Sequence, residues 1–258
     1  MRYLEAGSGR PMLLLHAFPL SAEQWLPQLS RVPSGWRIIA PDLRGFRGTG
    51  PAFDDPGVEG ATMEAYASDV LALMDHLDVE RAVIGGLSMG GYVAFALLGL
   101  AASRVAGLIL ANTRASADSP EGRVNRDRMA ALVLKEGPAA LAREMLPKLL
   151  GETTRREQPD LVHVIDHLIR LNAAEALAAA LLAMRDRPDS TPMLPTIACP
   201  TTVITGDEDT AVPPAESEAM HRLIPQSHFV VLPKVGHLSN LEPRGDLWKN
   251  AATAWISI

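Results

Sequence analysis

The 258-residue sequence is short of several things, and each shortage excludes something. A single cysteine, Cys199, rules out an intrachain disulfide and fits a reducing compartment. It stands just before Pro200 at the head of a strand-like run, where a small buried residue is expected rather than a nucleophile. Lysine and arginine total 24 against 30 acidic residues, a formal net charge of −6, and no basic run could grip a phosphate backbone. Nucleic acid is therefore not an expected partner. No apolar run is long enough to span a bilayer, so neither is a membrane. Met1-Arg2-Tyr3-Leu4-Glu5 carries no signal-peptide pattern, and a cytoplasmic protein is expected. Internal repeats and low-complexity tails are also missing.

What is present is 47% hydrophobic residues, 20 glycines and 20 prolines, enough for one large core punctuated by many turns. Short apolar runs predict strands at residues 3–6, 12–15, 37–40, 82–84, 105–111, 201–205 and 228–232. Gly7-Ser8-Gly9 reads as a hairpin-type turn between the first two. Ser21-Ala22-Glu23-Gln24 has the form of a capping box, with Leu20 and Trp25 as its hydrophobic staple, and predicts a helix start. Helical patterns cover residues 62–77, 92–100, 213–224 and 243–256. In the first, Met63, Tyr66, Ala67, Val70, Leu71, Met74 and Leu77 share one face, a core stripe.

The alternation breaks after Asn112. Residues 115–187 read as consecutive helices, with Leu161, Val164, Ile165, Leu168 and Ile169 on one face, before Pro188, Pro192 and Pro195. The pattern predicts an α/β fold: a mostly parallel central sheet with helices on both faces and an inserted helical cap. The expected division is a first core part at 1–112, the cap at 113–191 and a second core part at 192–258.

One motif organises the rest. Ala82-Val83-Ile84 reads as a buried strand, a helical pattern begins at Tyr92, and between them lies Gly86-Leu87-Ser88-Met89-Gly90. A G-x-S-x-G sequence at a strand–turn–helix junction is a nucleophile elbow. The serine is held in a strained conformation, and the residues two before and two after it are forced together, where only glycine fits. Gly91 is expected to let the following helix approach the strand.

A serine hydroxyl needs a base and a carboxylate to orient that base. Loops after parallel strands open at the carboxyl edge of the sheet. Ser88 lies in one such loop, Asp207, Glu208 and Asp209 in a second, and His237 in a third, in the chain order Ser, acid, His. His237 is the expected base, and spacing alone leaves the three acids unseparated. The oxyanion hole is expected to combine the N–H of Met89 with that of Phe18, in the loop after the second strand. His16, in that same loop, is assigned a structural role. His163 and His167 have the i, i+4 spacing of a metal pair, but they share a polar face with Asp166 and Arg170 and lack the H-E-x-x-H glutamate. A solvated face is expected there, and no metal.

With these loops assembled, the chain resembles the α/β-hydrolase superfamily over almost its full length. His16-Ala17-Phe18-Pro19 is similar to the family's H-G-x-P oxyanion loop, with Ala17 in place of glycine, and the role of its third residue falls on Phe18. Residues 41–48 are similar to the P-D-x-R-G loop. Gly206-Asp207-Glu208-Asp209 followed by Pro213 resembles G-x-x-D-x-x-x-P, which implies Asp209 as the acid. Leu87-Ser88-Met89-Gly90-Gly91, Leu110-Ala111-Asn112-Thr113 and His237-Leu238-Ser239-Asn240-Leu241-Glu242 resemble the 3-oxoadipate enol-lactonase and carboxylesterase branch, which includes openers of homoserine lactones. The resemblance implies a serine hydrolase, free of cofactor and metal, acting on small-molecule esters or lactones. Cofactor-free haloperoxidases, perhydrolases and C–C hydrolases are rivals on the same triad. A slow-turnover small-molecule sensor is the rival from another class.

The cap bears on the substrate. Met145, Leu146, Leu177, Leu181 and Met184 predict an apolar acyl pocket with few fixed charges, and hence a preference for uncharged acyl groups. Arg114 points the other way. It follows Asn112-Thr113 at the carboxyl end of a strand, where a guanidinium could grip a substrate carboxylate. The alternative is a solvated hinge residue.

Overall fold

The computed structural model describes residues 1–48 and 60–242. The predicted helix at 243–256 lies outside the described residues. Among the described residues seven strands form one sheet: β1 (Tyr3–Gly7), β2 (Arg10–Leu15), β3 (Trp36–Pro41), β4 (Ala82–Leu87), β5 (Val105–Ala111), β6 (Thr201–Gly206) and β7 (His228–Leu232). Their spatial order is β1-β3-β2-β4-β5-β6-β7. Only β1 runs antiparallel to its neighbour. The expected hairpin at Gly7-Ser8-Gly9 is not formed, because β1 pairs with β3 rather than β2. The Arg10 N–H goes instead to the Gly35 carbonyl (2.8 Å), so the turn carries the chain across the end of β3.

The strands are apolar on both sides, so both faces of the sheet must be covered. Alternation assigns the layers. Leu13 and Leu15 of β2 belong to one hydrophobic cluster, Met12 and Leu14 to the other. The first cluster is filled by α2 (Met63–His76) and α3 (Met89–Ala101), and it takes in Met220 of α9 (Pro214–Leu223). Thr62 caps α2 by accepting the Ala65 N–H (3.0 Å). Burying Val70 or Met74 of its stripe stabilises the fold by roughly 1.5–3 kcal/mol each. The second cluster takes Leu20 and Trp25 from the segment after β2.

That segment departs from expectation. It forms a 3-10 turn (Ala22–Trp25) and a short α1 (Leu26–Leu29), with no side-chain cap from Ser21. The Ser21 hydroxyl donates to Glu23 (2.5 Å), and the Gln24 side chain is used elsewhere.

Between β5 and β6 lie α4 (Pro120–Glu136), α5 (Pro138–Leu149), α6 (Glu152–Glu157), α7 (Pro159–Arg170) and α8 (Ala174–Asp186). α4 packs on α8 and α5, and α5 on α7. Of the expected α7 face, Ile165 and Ile169 are buried and Val164 is exposed. His163 and His167 are exposed on the same helix. Among the described residues no group of His, Cys, Asp or Glu is arranged to hold a metal ion, and no single helix is long and apolar enough to cross a membrane.

Candidate active site

The turn between β4 and α3 is shaped by sterics. Ser88 has φ 54° and ψ −113°, a conformation that L-residues rarely adopt. Gly86 and Gly90 permit it. A Cβ on Gly86 would lie 2.2 Å from the Gly90 carbonyl oxygen, and one on Gly90 would lie 2.2 Å from that of Leu15. Gly91 does a different job from the one expected. Its missing Cβ makes room for Thr113, beyond the end of β5 (2.4 Å), rather than for β4. Thr113 uses that closeness to donate its hydroxyl to the Ser88 carbonyl (2.8 Å), while the Ser88 N–H donates to Ala111 (2.9 Å). The serine is thus clamped by β5 as well as by its own turn.

Asp209, not Asp207 or Glu208, meets His237. Its Oδ2 accepts the His237 Nδ1–H (2.9 Å) and an N–H of the Asn112 amide (2.8 Å). Its Oδ1 accepts the N–H groups of Ala211 and Val212, both at 2.9 Å. Burial works against the charged form, but His237, Val212 and Asn112 together hold the carboxyl below its ordinary range. With Nδ1 protonated against the carboxylate, Nε2 of the neutral ring is left as an acceptor. Asp207 accepts the Lys234 N–H (2.6 Å), and Glu208 faces Thr153.

Ser88 and His237 line one cavity of about 230 Å³, together with Phe18. Among the described residues their hydrogen bonds do not include one to each other; such contacts commonly tighten only when substrate is bound. The N–H groups of Phe18 and Met89 take no partner among the described backbone hydrogen bonds. The loop bearing Phe18 is held from both sides. Ala17 donates its N–H to Gln24 (2.9 Å), whose amide donates in turn to Asn240 beyond His237 (3.2 Å). His16 accepts the Leu43 N–H at Nε2 (3.1 Å) and donates from Nδ1 to the Ala17 carbonyl (3.0 Å). Full burial pushes the His16 ring down to about 4, so it stays neutral and keeps that acceptor.

The cavity corrects the expectation of few fixed charges. Of the five apolar residues expected there, Met145 and Met184 line it, joined by Met129, while Leu146, Leu177 and Leu181 are not among its described lining. Arg114, Arg126, Arg128 and Lys148 line it too, and among the described residues the acids there are Asp118 and Glu144. α4, α5 and α8 supply most of these side chains. Arg114 is not a solvated hinge residue. Three guanidinium groups converge on Asp118: Arg114, Arg126 (3.0 Å) and Arg187 (2.8 Å). Burial opposes ionisation of Asp118, yet Arg126 and Arg187 outweigh it and hold the carboxyl at about 2. Arg187 is further braced over the Tyr92 ring (4.0 Å). Among the described residues, Nε of Arg114 and Nε of Arg187 are buried without a hydrogen-bond partner. Arg128 pairs with Glu144 (2.9 Å), and Lys148 forms no ion pair among the described residues. The wall therefore carries surplus positive charge.

Sequence reasoning missed several of these contributors. Asn112, Thr113 and Glu242 were legible only as parts of motifs, and Arg126, Arg128 and Lys148 as ordinary polar positions on helices. Their roles depend on which segments meet in space.

The family profile described as alpha/beta hydrolase fold matches residues 10–243 of the chain. A thermophilic esterase from Thermogutta terrifontis, solved with malate bound, superposes with a TM-score of 0.89 at 45% identity, covering 99% of this chain and 90% of that one. The enol-lactonase from Burkholderia xenovorans LB400 superposes with a TM-score of 0.87 at 29% identity, covering 100% of this chain and 96% of that one. Among curated proteins, the dihydrolipoyllysine-residue acetyltransferase component of the acetoin cleaving system of Pseudomonas putida is 28% identical over 256 residues. That alignment takes in 94% of this chain, and the chain spans 63% of that relative's length.

Proposed function

Because the chain belongs to the alpha/beta hydrolase fold family, we propose that it is a serine hydrolase that cleaves carboxylic esters or lactones through an acyl-enzyme. Ser88 Oγ attacks the substrate carbonyl carbon while His237 Nε2 takes its proton. The carbonyl oxygen becomes an oxyanion and is received by the N–H groups of Phe18 and Met89, each contributing about 3–4 kcal/mol of transition-state stabilisation. His237 then gives the proton to the departing alkoxide, leaving Ser88 acylated. In the second half, His237 deprotonates a water that attacks the acyl carbon, and the proton returns to Ser88. Asp209 keeps the imidazole in the required tautomer and stabilises its cation. Residues 113–191 act as a cap over this site. The observation that carries the reading is the His237–Asp209 hydrogen bond beside the cavity that Ser88 lines. Hydrolysis of nitrophenyl acetate, nitrophenyl butyrate and simple lactones tests it. The purified protein should turn over at least one of these, and Ser88→Ala should lower kcat by about four orders of magnitude or more. Equal turnover by the variant would overturn it.

The charged wall favours a second reading, that the substrate carries a carboxylate, in place of the preference for neutral acyl groups. Arg114, whose Nε has no hydrogen-bond partner among the described residues, is the proposed contact, and Arg126 and Lys148 add attraction. The malate bound in the Thermogutta terrifontis esterase, a dicarboxylate, supports this reading. Arg114→Ala should raise KM for a carboxylate-bearing lactone about tenfold or more and spare neutral esters. An equal effect on both would return the preference to neutral substrates.

A further inference from the structure

Two buried or half-buried carboxylates beside the acid and the base take no part in the proposed chemistry. Glu242 is 2% exposed. Its Oε2 accepts the N–H groups of Gly236 and Gly151, both at 2.9 Å, and its Oε1 accepts that of Leu238 (3.0 Å). Gly236 and Leu238 flank His237, so this one carboxylate brackets the base. Among the described residues no lysine or arginine pairs with Glu242. Burial raises its carboxyl above the ordinary range in spite of these donors.

Glu208 makes the matching contact for the acid. It stands one residue before Asp209 and accepts both the N–H (2.8 Å) and the hydroxyl (2.5 Å) of Thr153. Gly151 and Thr153 lie on either side of the first residue of α6, Glu152. The two loops are therefore pinned to one short stretch of the inserted helices. The approach is close: a Cβ on Gly236 would lie 2.1 Å from the Gly151 nitrogen.

Among the described residues Ser88 has no such tie, since its hydrogen bonds run to α3 and to the end of β5. The alignment of His237 with Ser88 then depends on how the start of α6 is seated against the sheet edge. We propose that Glu242 and Glu208 are positioning residues for the reaction, registering the His237–Asp209 pair on residues 151–153 and so setting the approach of His237 to Ser88. This rests on the serine-hydrolase reading above.

Glu242→Gln tests it. The amide keeps the size and replaces one acceptor oxygen by an NH2 group that cannot accept the N–H it faces. A misplacement near 1 Å costs about 10²-fold. We expect kcat to fall about 10- to 100-fold in Glu242→Gln and less in Glu208→Gln, with KM within about twofold of wild type. A merely structural role would lower the melting temperature and leave kcat alone. The second readout needs no turnover: the ring Nδ1–H resonance of His237 and its titration midpoint, followed by NMR in a Ser88→Ala background. Glu242→Gln should shift that midpoint. If the wild type hydrolyses no ester or lactone but the midpoint moves, the functional reading fails and the positioning role stands. If Glu242→Gln does not fold, Glu208→Gln, at a half-buried site, decides by the same two readouts. Unchanged kcat and an unmoved His237 resonance in the folded variants would overturn the proposal.

Discussion

The two halves of the candidate site are held by different physics. Around Ser88 the restraint is chiefly steric: a residue at positive φ between Gly86 and Gly90, with the carbonyl oxygens of Gly90 and Leu15 where side chains would otherwise go, backed by hydrogen bonds to Ala111 and Thr113. Around Asp209 and His237 the restraint is chiefly a set of hydrogen bonds drawn from remote parts of the chain, beside one close backbone approach of Gly236 to Gly151. Asn112 is 97 residues from Asp209, and Gly151 is 91 residues from Glu242. A steric restraint is nearly all-or-none, because backbone atoms cannot yield. A hydrogen-bonded one is graded, because each contact can be lost singly at about 0.5–3 kcal/mol. The nucleophile half should therefore fail by misfolding and the acid–base half by losing rate.

The largest effect should come from Gly90→Ala. Its Cβ would meet the Leu15 carbonyl oxygen at 2.2 Å, with no flexible side chain to move aside. Loss of soluble, folded protein is expected, read by expression and thermal melting. A variant that melts like the wild type would break the claim that sterics fix this half.

Asp209→Asn should do the opposite. The fold should survive, because the site keeps its shape, while kcat drops about 10⁴-fold as the imidazole loses its tautomer. Asp207→Asn should stay within about twofold of wild type, since among the described residues its carboxylate meets the Lys234 N–H and not His237. Steady-state kinetics on a nitrophenyl ester, with circular dichroism as control, separates the two. Reversed results would move the acid to Asp207.

A smaller effect concerns stability on the oxyanion side. His16 has a folded pKa of about 4 against an ordinary 6.5. Its neutral form is favoured by the fold, so its contribution is complete above pH 6.5 and is lost as pH falls through 4. The loss amounts to about 3 kcal/mol. Urea unfolding at pH 7 and at pH 4.5 should show it, and His16→Gln should flatten the difference. An equally steep fall in that variant would assign the acid sensitivity to other groups.

The same contrast explains what could be read from the sequence. The elbow and the three edge loops follow from local spacing, and they stand at the ends of the strands where spacing puts them. Spacing left three acids open, because what separates them is their hydrogen bonds to Asn112, Thr153 and Lys234. The capping box failed for a related reason: Gln24 is drawn into a long-range chain through Ala17 and Asn240. The pocket was misread because helical periodicity says which face is apolar, not what the polar face will look at. Arg126, Arg128 and Lys148 became cavity walls only through the docking of α4 and α5.

The most direct test of the central claim is covalent. A fluorophosphonate reacts with an activated serine by forming an O–P bond and releasing fluoride. Intact-mass spectrometry and peptide mapping of the treated protein should find one adduct, on the peptide bearing Ser88, and none on Ser88→Ala protein. Labelling should be much slower in His237→Ala. An adduct on another residue, or an unlabelled Ser88 in a protein that still hydrolyses esters, would contradict the account.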